Sequence, residues 1–368
     1  MKSGKNIILH VDMDSFFASV EAKRKNIENE PVVVCVYSGR TEDSGAVSTT
    51  NYKAREYGIK SAMSITKAKR TSENMEEKES IKFHFIPVDK EYYREISDQI
   101  REKVLEKYSD RIEQSSIDEF YLDISEEIEN WEKAKFIGEE IQRNVEEKFG
   151  ITCSVGIGPN KLIAKIASDR KKPEGLTLVR DERVKEFMNS LDLKDVHGIG
   201  NKTIESLSEI DIENVKELSE ADKGILIEKF GKNLGPKLIK KAKGIGDTSV
   251  KEEKQKQISR ITTLKENSRD SEYIEEYLGK LSKDLNKKLN KREMKARKVT
   301  LIVIDEELDM KTLSKSFKAS FDDIDLILDG GIELLLKYLN ENQEEIRRIG
   351  LRVSDLQESS GQKRLDDF

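Results

Sequence analysis

Two adjacent carboxylates, Asp118 and Glu119, stand in the stretch Gln114–Ile124, where Phe120, Leu122 and Ile124 alternate with Tyr121 and Asp123. That alternation is strand periodicity, and Ser115-Ser116 just upstream reads as the approach to a hairpin tip. Two acids side by side repel each other unless a cation, or a proton on one of them, relieves the pair. A second acidic cluster, Asp12 and Asp14, closes the apolar run Ile7–Val11 ahead of a helix expected to start at Ser15. Asp14 and Ser15 are equally readable as helix caps. Asp12 ends the strand and is the better ligand. A carboxylate at the end of one central strand, facing an acidic pair on a neighbour, is the geometry of two-metal phosphoryl transfer.

The elements that must position these acids follow from periodicity. A strand and helix over residues 1 to about 23, a helix Lys90–Lys107, the hairpin around Asp118, a helix Trp131–Phe149 and a strand Thr152–Ile157 make a split β-α-β pattern with helices on one face of the sheet. Pro31–Val36 is a buried-strand run inside an insert of short helices. Tyr52 and Arg55, three apart at the start of a predicted helix, share a face and suit the phosphates of a nucleotide. Lys161 and Lys165 lie one helical turn apart, and Arg170–Pro173 closes the same segment. From Asp192 the composition changes, and a Gly-Ile-Gly turn, Gly198 to Gly200, precedes Lys202. Such a turn can offer backbone N–H groups to a DNA phosphate, although many serve only as C-caps. A looser copy stands at Lys229–Lys237. After the charged linker Lys251–Gln257 come a strand Ser259–Leu264, a helix Ser271–Leu289, strands Lys298–Ile304 and Leu313–Phe317, a helix Ile324–Leu339 and a strand Ile346–Val353. The fold class is α+β and multidomain.

Composition narrows the function. The 368-residue chain has 38% charged and 6% aromatic residues and a net charge of -6, so it is no uniformly basic nucleic-acid binder. Its cations are concentrated instead. Lys280–Lys298 carries nine basic residues against two acidic ones, Arg297 and Lys298 among them, and 231–243 has five lysines, including Lys237, and no acid. Local clusters of that kind suit a phosphate backbone. Cys35 and Cys153 lie in apolar runs without metal-ligand spacing and read as packed thiols. No long apolar segment is present, which predicts a soluble, cytoplasmic protein with no membrane partner.

Val11–Glu21, Ser44–Arg55 and Ser115–Glu119, in that order, resemble the signature blocks of the Y-family DNA polymerases, the translesion enzymes, and of their DNA polymerase IV branch with its archaeal members. The resemblance implies a right-hand polymerase: a ferredoxin-like palm at 1–23 and 91–179, small fingers at 24–90, a helix-hairpin-helix thumb at 180–246, a linker at 247–257, a β-α-β-β-α-β little finger at 258–354 and a flexible tail at 355–368. It implies template-directed, low-fidelity synthesis past damaged bases without proofreading. Asp12, Asp118 and Glu119, with the Met13 carbonyl, would hold two Mg²⁺ ions, for which Mn²⁺ is a possible substitute. The deoxynucleotide would meet Tyr52, Arg55, Phe16, Lys172 and Lys165, the choice between the two lysines being open. Phe17 would be the steric gate against a 2′-hydroxyl. Gly45, Ala46, Ser48, Ser61 and Ala62 would roof the templating base. Primer-template DNA would lie on Gly198, Gly200, Lys202, Lys237, Arg260, Arg297, Lys298, Arg347 and Arg348; relatives commonly carry Pro where His197 stands. Gln362, Leu365 and Phe368 resemble the peptides that dock on PCNA-type sliding clamps. A monomer is expected. The competing readings are a metal-dependent structure-specific nuclease and a clamp-recruited scaffold with a dead palm.

Overall fold

The computed structural model describes residues 6–79, 81–128, 130–252 and 255–359. They gather into two compact units, one holding residues up to 252 without 36–46 and 64–66, the other those two short segments with 255–359. The first half of the chain runs β1 (Ile8–Met13), α1 (Phe16–Lys25), β2 (Val32–Tyr37), β3 (Gly45–Thr50), α2 (Tyr52–Glu56), α3 (Ile65–Glu79), β4 (His84–Pro87) and α4 (Lys90–Lys103). Then come β5 (Ile112–Gln114), β6 (Glu119–Asp123), α5 (Trp131–Phe149), β7 (Cys153–Gly158), α6 (Lys161–Asp169) and β8 (Leu176–Leu178). A small sheet has the order β3-β2-β4, with β2 parallel to β4.

The sheet that matters for the site has the order β5-β6-β1-β7-β8, with β1 central and antiparallel to both neighbours. Every residue of β1 is buried, because helices cover both faces. Leu9, Val11 and Met13 join the core formed with α1, α4 and α5. Ile8 packs with Tyr121 and with Ala164 of α6. The one-sided covering expected from the sequence is thus corrected, and glycine is the cause. A Cβ on Gly156 of β7 would stand 1.9 Å from the Ala164 carbonyl oxygen and 2.3 Å from the Ser168 nitrogen. Only bare backbone lets α6 settle there. A smaller correction concerns α4, which stops at Lys103; Val104 and Leu105, both fully buried, turn the chain into the core through a short 3₁₀ turn.

Four helices follow, α7 (Val184–Asn189), α8 (Asn201–Ser208), α9 (Val215–Glu220) and α10 (Lys223–Ala242), around a core that includes Leu191, Leu207, Leu218, Leu226 and Leu238. The looser glycine repeat of the sequence is a kink inside α10, where Gly231 has φ 80°. The second unit holds β9 (Gln257–Ser268), α11 (Ser271–Lys291), β10 (Met294–Asp305), β11 (Met310–Phe321), α12 (Ile324–Glu341), β12 (Ile346–Ser354) and β13 (Gln357–Glu358). Its sheet has the order β11-β10-β12-β9, and α11 and α12 pack on one face over Val299, Leu301, Leu351 and Val353. The β-α-β-β-α-β order is the expected one. Among the described residues no helix is long and apolar enough to cross a membrane.

Candidate active site

The antiparallel register sets Asp12 opposite Glu119 and His10 opposite Tyr121. Asp118 precedes β6 at the hairpin, where its carbonyl accepts the Met13 N–H at 2.9 Å and its carboxylate accepts the Ser116 hydroxyl at 2.5 Å. From the other side α6 delivers Lys165, whose ammonium donates to Asp12 Oδ2 at 2.8 Å and Glu119 Oε1 at 2.7 Å. Lys172 reaches the same Asp12 oxygen at 2.7 Å. Asp12 is nearly buried, and burial pushes its carboxyl up to about 6 while Lys172 and Lys165 pull against the rise. The His10 imidazole, then the Lys165 ammonium, hold Glu119 well below the usual carboxylate range. His10 itself is wholly buried, which depresses it to about 4; its Nδ1 bonds Ser168 Oγ at 2.8 Å, and its Nε2 lies 3.8 Å from Glu119 Oε2.

A pocket of about 290 Å³ is lined by Asp12, Asp118, Glu119, Phe17, Tyr52, Arg55 and Lys172, with Met13, Ser15, Phe16, Ser48 and Thr49. Asn51 caps α2 by accepting the Ala54 N–H, so Tyr52 and Arg55 leave from a fixed turn, and the Arg55 guanidinium stacks 4.6 Å above the Tyr52 ring. Phe17 is braced by Tyr93, stacked at 4.5 Å. Tyr93 is buried and its hydroxyl donates to Glu21. Phe16 is core, at 2% exposure. Of the small residues expected over the base, Ser48 lines the pocket, whereas Gly45, Ala46, Ser61 and Ala62 do not.

Asp14 is neither a cap nor a pocket ligand. Ser15 occupies the N-cap of α1 with no side-chain bond, and the helix starts at Phe16. Asp14, 2% exposed, accepts Ser154 Oγ at 2.8 Å, Thr152 Oγ1 at 3.0 Å and the Glu174 N–H at 2.9 Å. It thereby ties β1 to the loop that carries Lys172. His10, Ser168 and Asp14 are the residues the sequence reading missed in these roles. The alternation from His10 to Asp12 and the Gly156/Gly158 pair were the available signals.

Away from the pocket, Gly198 has φ 81° and Gly200 caps α8, with Lys202 exposed in its first turn. Lys241 donates to the His197 carbonyl at 2.8 Å, a tether for the loop that carries Gly198. Lys237, Lys240, Lys241, Lys161 and His197 line a cleft of about 460 Å³. In the second unit, pairing of Ile304 with Arg348 and of Lys298 with Ser354 puts Lys298 and Arg348 on the sheet face opposite the helices. Arg260 pairs with Leu351 and belongs to the helix side, while Arg347 sits at the register shift between Ile346 and Arg348. Arg297 donates to the Lys318 carbonyl. The expected DNA set is therefore split between two faces. Gln362, Leu365 and Phe368 lie outside the described residues. Cys35 and Cys153 are buried thiols, as their apolar surroundings predicted.

His10, Asp12 and Glu119 bring ligand atoms within 4.8 Å of one another. The two carboxylates offer hard oxygen donors that fit a hard divalent cation, and His10 adds a nitrogen to the group. Acids in register on two central strands, beside a Tyr-Arg-Lys set on one pocket, define a site for cation-assisted phosphoryl transfer.

The impB/mucB/samB family model matches residues 11–169, its C-terminal domain 255–366, and the IMS family HHH motif 181–212. DNA polymerase IV of Methanosarcina acetivorans is 41% identical across 99% of this chain and 100% of its own. That of Nitrosopumilus maritimus is 38% identical across 98% and 99%. Among solved structures, a Y-family DNA polymerase chimera of Dbh and Dpo4 matches with a TM-score of 0.88 at 35% identity, over 96% of this chain and 99% of that one. The insertion ternary complex of Dbh DNA polymerase matches at 0.67 and 34%, over 95% and 98%. The chain belongs to the impB/mucB/samB family, the Y-family DNA polymerases. It is a DNA-directed DNA polymerase of the translesion kind, and the nuclease and scaffold readings fall away.

Proposed function

We propose that this chain adds deoxynucleotides to a primer 3′-hydroxyl at the Asp12/Glu119 pocket, using two Mg²⁺ ions. The observation that carries this reading is the cross-strand register of Asp12 and Glu119 beside Tyr52, Arg55 and Lys172. Asp12, Asp118 and Glu119, with the Met13 carbonyl, would hold the ions. When bound, such ions supply positive charge that acidifies the primer hydroxyl and steadies the departing pyrophosphate. Tyr52, Arg55 and Lys172 grip the triphosphate, so the chain's own contribution is positioning and charge neutralisation. Phe17, held by Tyr93, lies under the sugar and excludes a 2′-hydroxyl. The lysine-lined cleft, the Gly198 loop with Lys202, and the Lys298/Arg348 face hold primer-template backbone. We assign palm to 1–23 and 91–179, fingers to 24–90, thumb to 180–246 and little finger to 258–354. The tail docks on a sliding clamp through Gln362, Leu365 and Phe368, and the protein works in the cytoplasm as a monomer.

Primer extension on undamaged and abasic templates tests this. The wild type should extend short, distributive products past the lesion from deoxynucleotides alone. Asp118→Ala and Glu119→Ala should lose extension by at least about 1,000-fold while retaining DNA affinity, and Phe17→Ala should accept ribonucleotides. Normal extension by either acidic variant would sink the assignment.

A further inference from the structure

Lys165 does not line the nucleotide pocket. It lies beneath the acids, and we propose that it is a built-in counter-ion for Asp12 and Glu119 that gives way to a divalent cation, with Asp169 as the carboxylate that receives its ammonium. This rests on the reading of Asp12 and Glu119 as cation ligands.

The first observation is burial. The Lys165 side chain is 9% exposed and that of Asp12 only 7%, so neither charge can rely on water, and each needs the other. The second is that Lys165 bonds Asp12 Oδ2 and Glu119 Oε1 together. Those are oxygens a cation shared by the two acids would need. Oxygens bind an ammonium at about 2.8 Å and Mg²⁺ at about 2.1 Å, so the two cations compete for one place. The third is an alternative seat. Asp169, one turn further along α6 and half exposed, has Oδ2 at 3.5 Å from Lys165 Nζ and Oδ1 at 2.9 Å from Lys172 Nζ. A rotation of the Lys165 stem keeps a carboxylate partner throughout. His10, the other chargeable group against Glu119, is fixed by Ser168 and does not move with it.

Lys172 extends the argument to substrate. It also bonds Asp12 Oδ2, and an arriving triphosphate offers it stronger acceptors. Nucleotide therefore frees Asp12 from one ammonium and cation frees it from the other, so each ligand raises the affinity for its partner.

Thermal melting of the full chain against Mg²⁺ alone tests the exchange, because a ligand that binds the folded state raises the melting temperature with the logarithm of one plus its concentration over its dissociation constant, and that fitted constant is the Mg²⁺ midpoint. Lys165→Met should melt lower without Mg²⁺, and its Mg²⁺ midpoint should fall at least fivefold below that of the wild type. Asp169→Asn, at a half-exposed position where folding is secure, should raise the midpoint at least threefold. A wild-type midpoint in Lys165→Met overturns the counter-ion; a wild-type midpoint in Asp169→Asn overturns the seat. Asp12→Asn separates this inference from the reading beneath it. If Asp12→Asn responds to Mg²⁺ like the wild type, the cation site itself is wrong; if it loses the response while Lys165→Met keeps the wild-type midpoint, the counter-ion alone fails.

Discussion

Asp14 shows how much of a site rests on a residue that never touches substrate. Its carboxylate satisfies two hydroxyls and a backbone N–H in a dry place. Asp14→Ala would orphan all three donors and cost about 2–4 kcal/mol, read as a lower urea midpoint; a loss below about 1 kcal/mol would contradict the role. His10 makes a second residue-level prediction. Burial lowers its pKa from 6.5 to about 4, so the unfolded chain takes up that proton first. Its stabilising contribution is complete above pH 6.5 and is lost as the pH falls toward 4, about 3 kcal/mol in all. Asp12 works in the opposite sense. Raised from 3.8 to about 6, it binds a proton earlier when folded and strengthens the fold as the pH falls through that window. His10→Phe removes that loss, so the stability of the variant relative to wild type should improve between pH 7 and pH 4.5. A pH-independent difference between the two urea midpoints would refute this. That Asp12, Asp118 and Glu119 would meet at one pocket was legible in the sequence, because acids at the ends of apolar strands have few structural uses. Asp14 was not, because a cap and a buried anchor look alike locally, and its partners Thr152, Ser154 and Glu174 are distant in the chain.

At the scale of elements, α6 is the piece that turns a two-layer palm into a site. It brings Lys165 to the acids and Ser168 to His10, and it can do so only over Gly156. Gly156→Ala should force helix and strand apart and cost about 3 kcal/mol or more, with Lys165 drawn off Asp12. A melting temperature within a degree or two of wild type would show that the sheet yields more easily than its geometry allows. Helix α5 was readable to the residue from Trp131 to Phe149 because Asn130 caps it and Gly150 ends it. The second helical face was not readable, since Cys153–Gly158 carries too few large apolar side chains to announce which layer covers it. The expected one-sided sheet followed from that silence. The kink at Gly231 was visible only as a glycine repeat, because a positive φ leaves no periodic trace.

For the molecule as a whole, an acidic chain binds a polyanion only if its cations gather on particular faces. Replacing Lys298 and Arg348 together by Ala should weaken duplex binding and lower the slope of log affinity against log salt by about two, one for each phosphate contact removed. An unchanged slope would take these residues off the backbone path. Arg260, on the helix side, should leave the slope alone. The sheet behind the active site carries one last consequence. Its central strand, β1, is made first, yet its neighbours β6 and β7 follow only after roughly a hundred further residues, on the order of ten seconds of synthesis. Until then an apolar strand with two open edges waits on the ribosome, which makes the nascent chain a natural client for chaperones long before any polymerase exists.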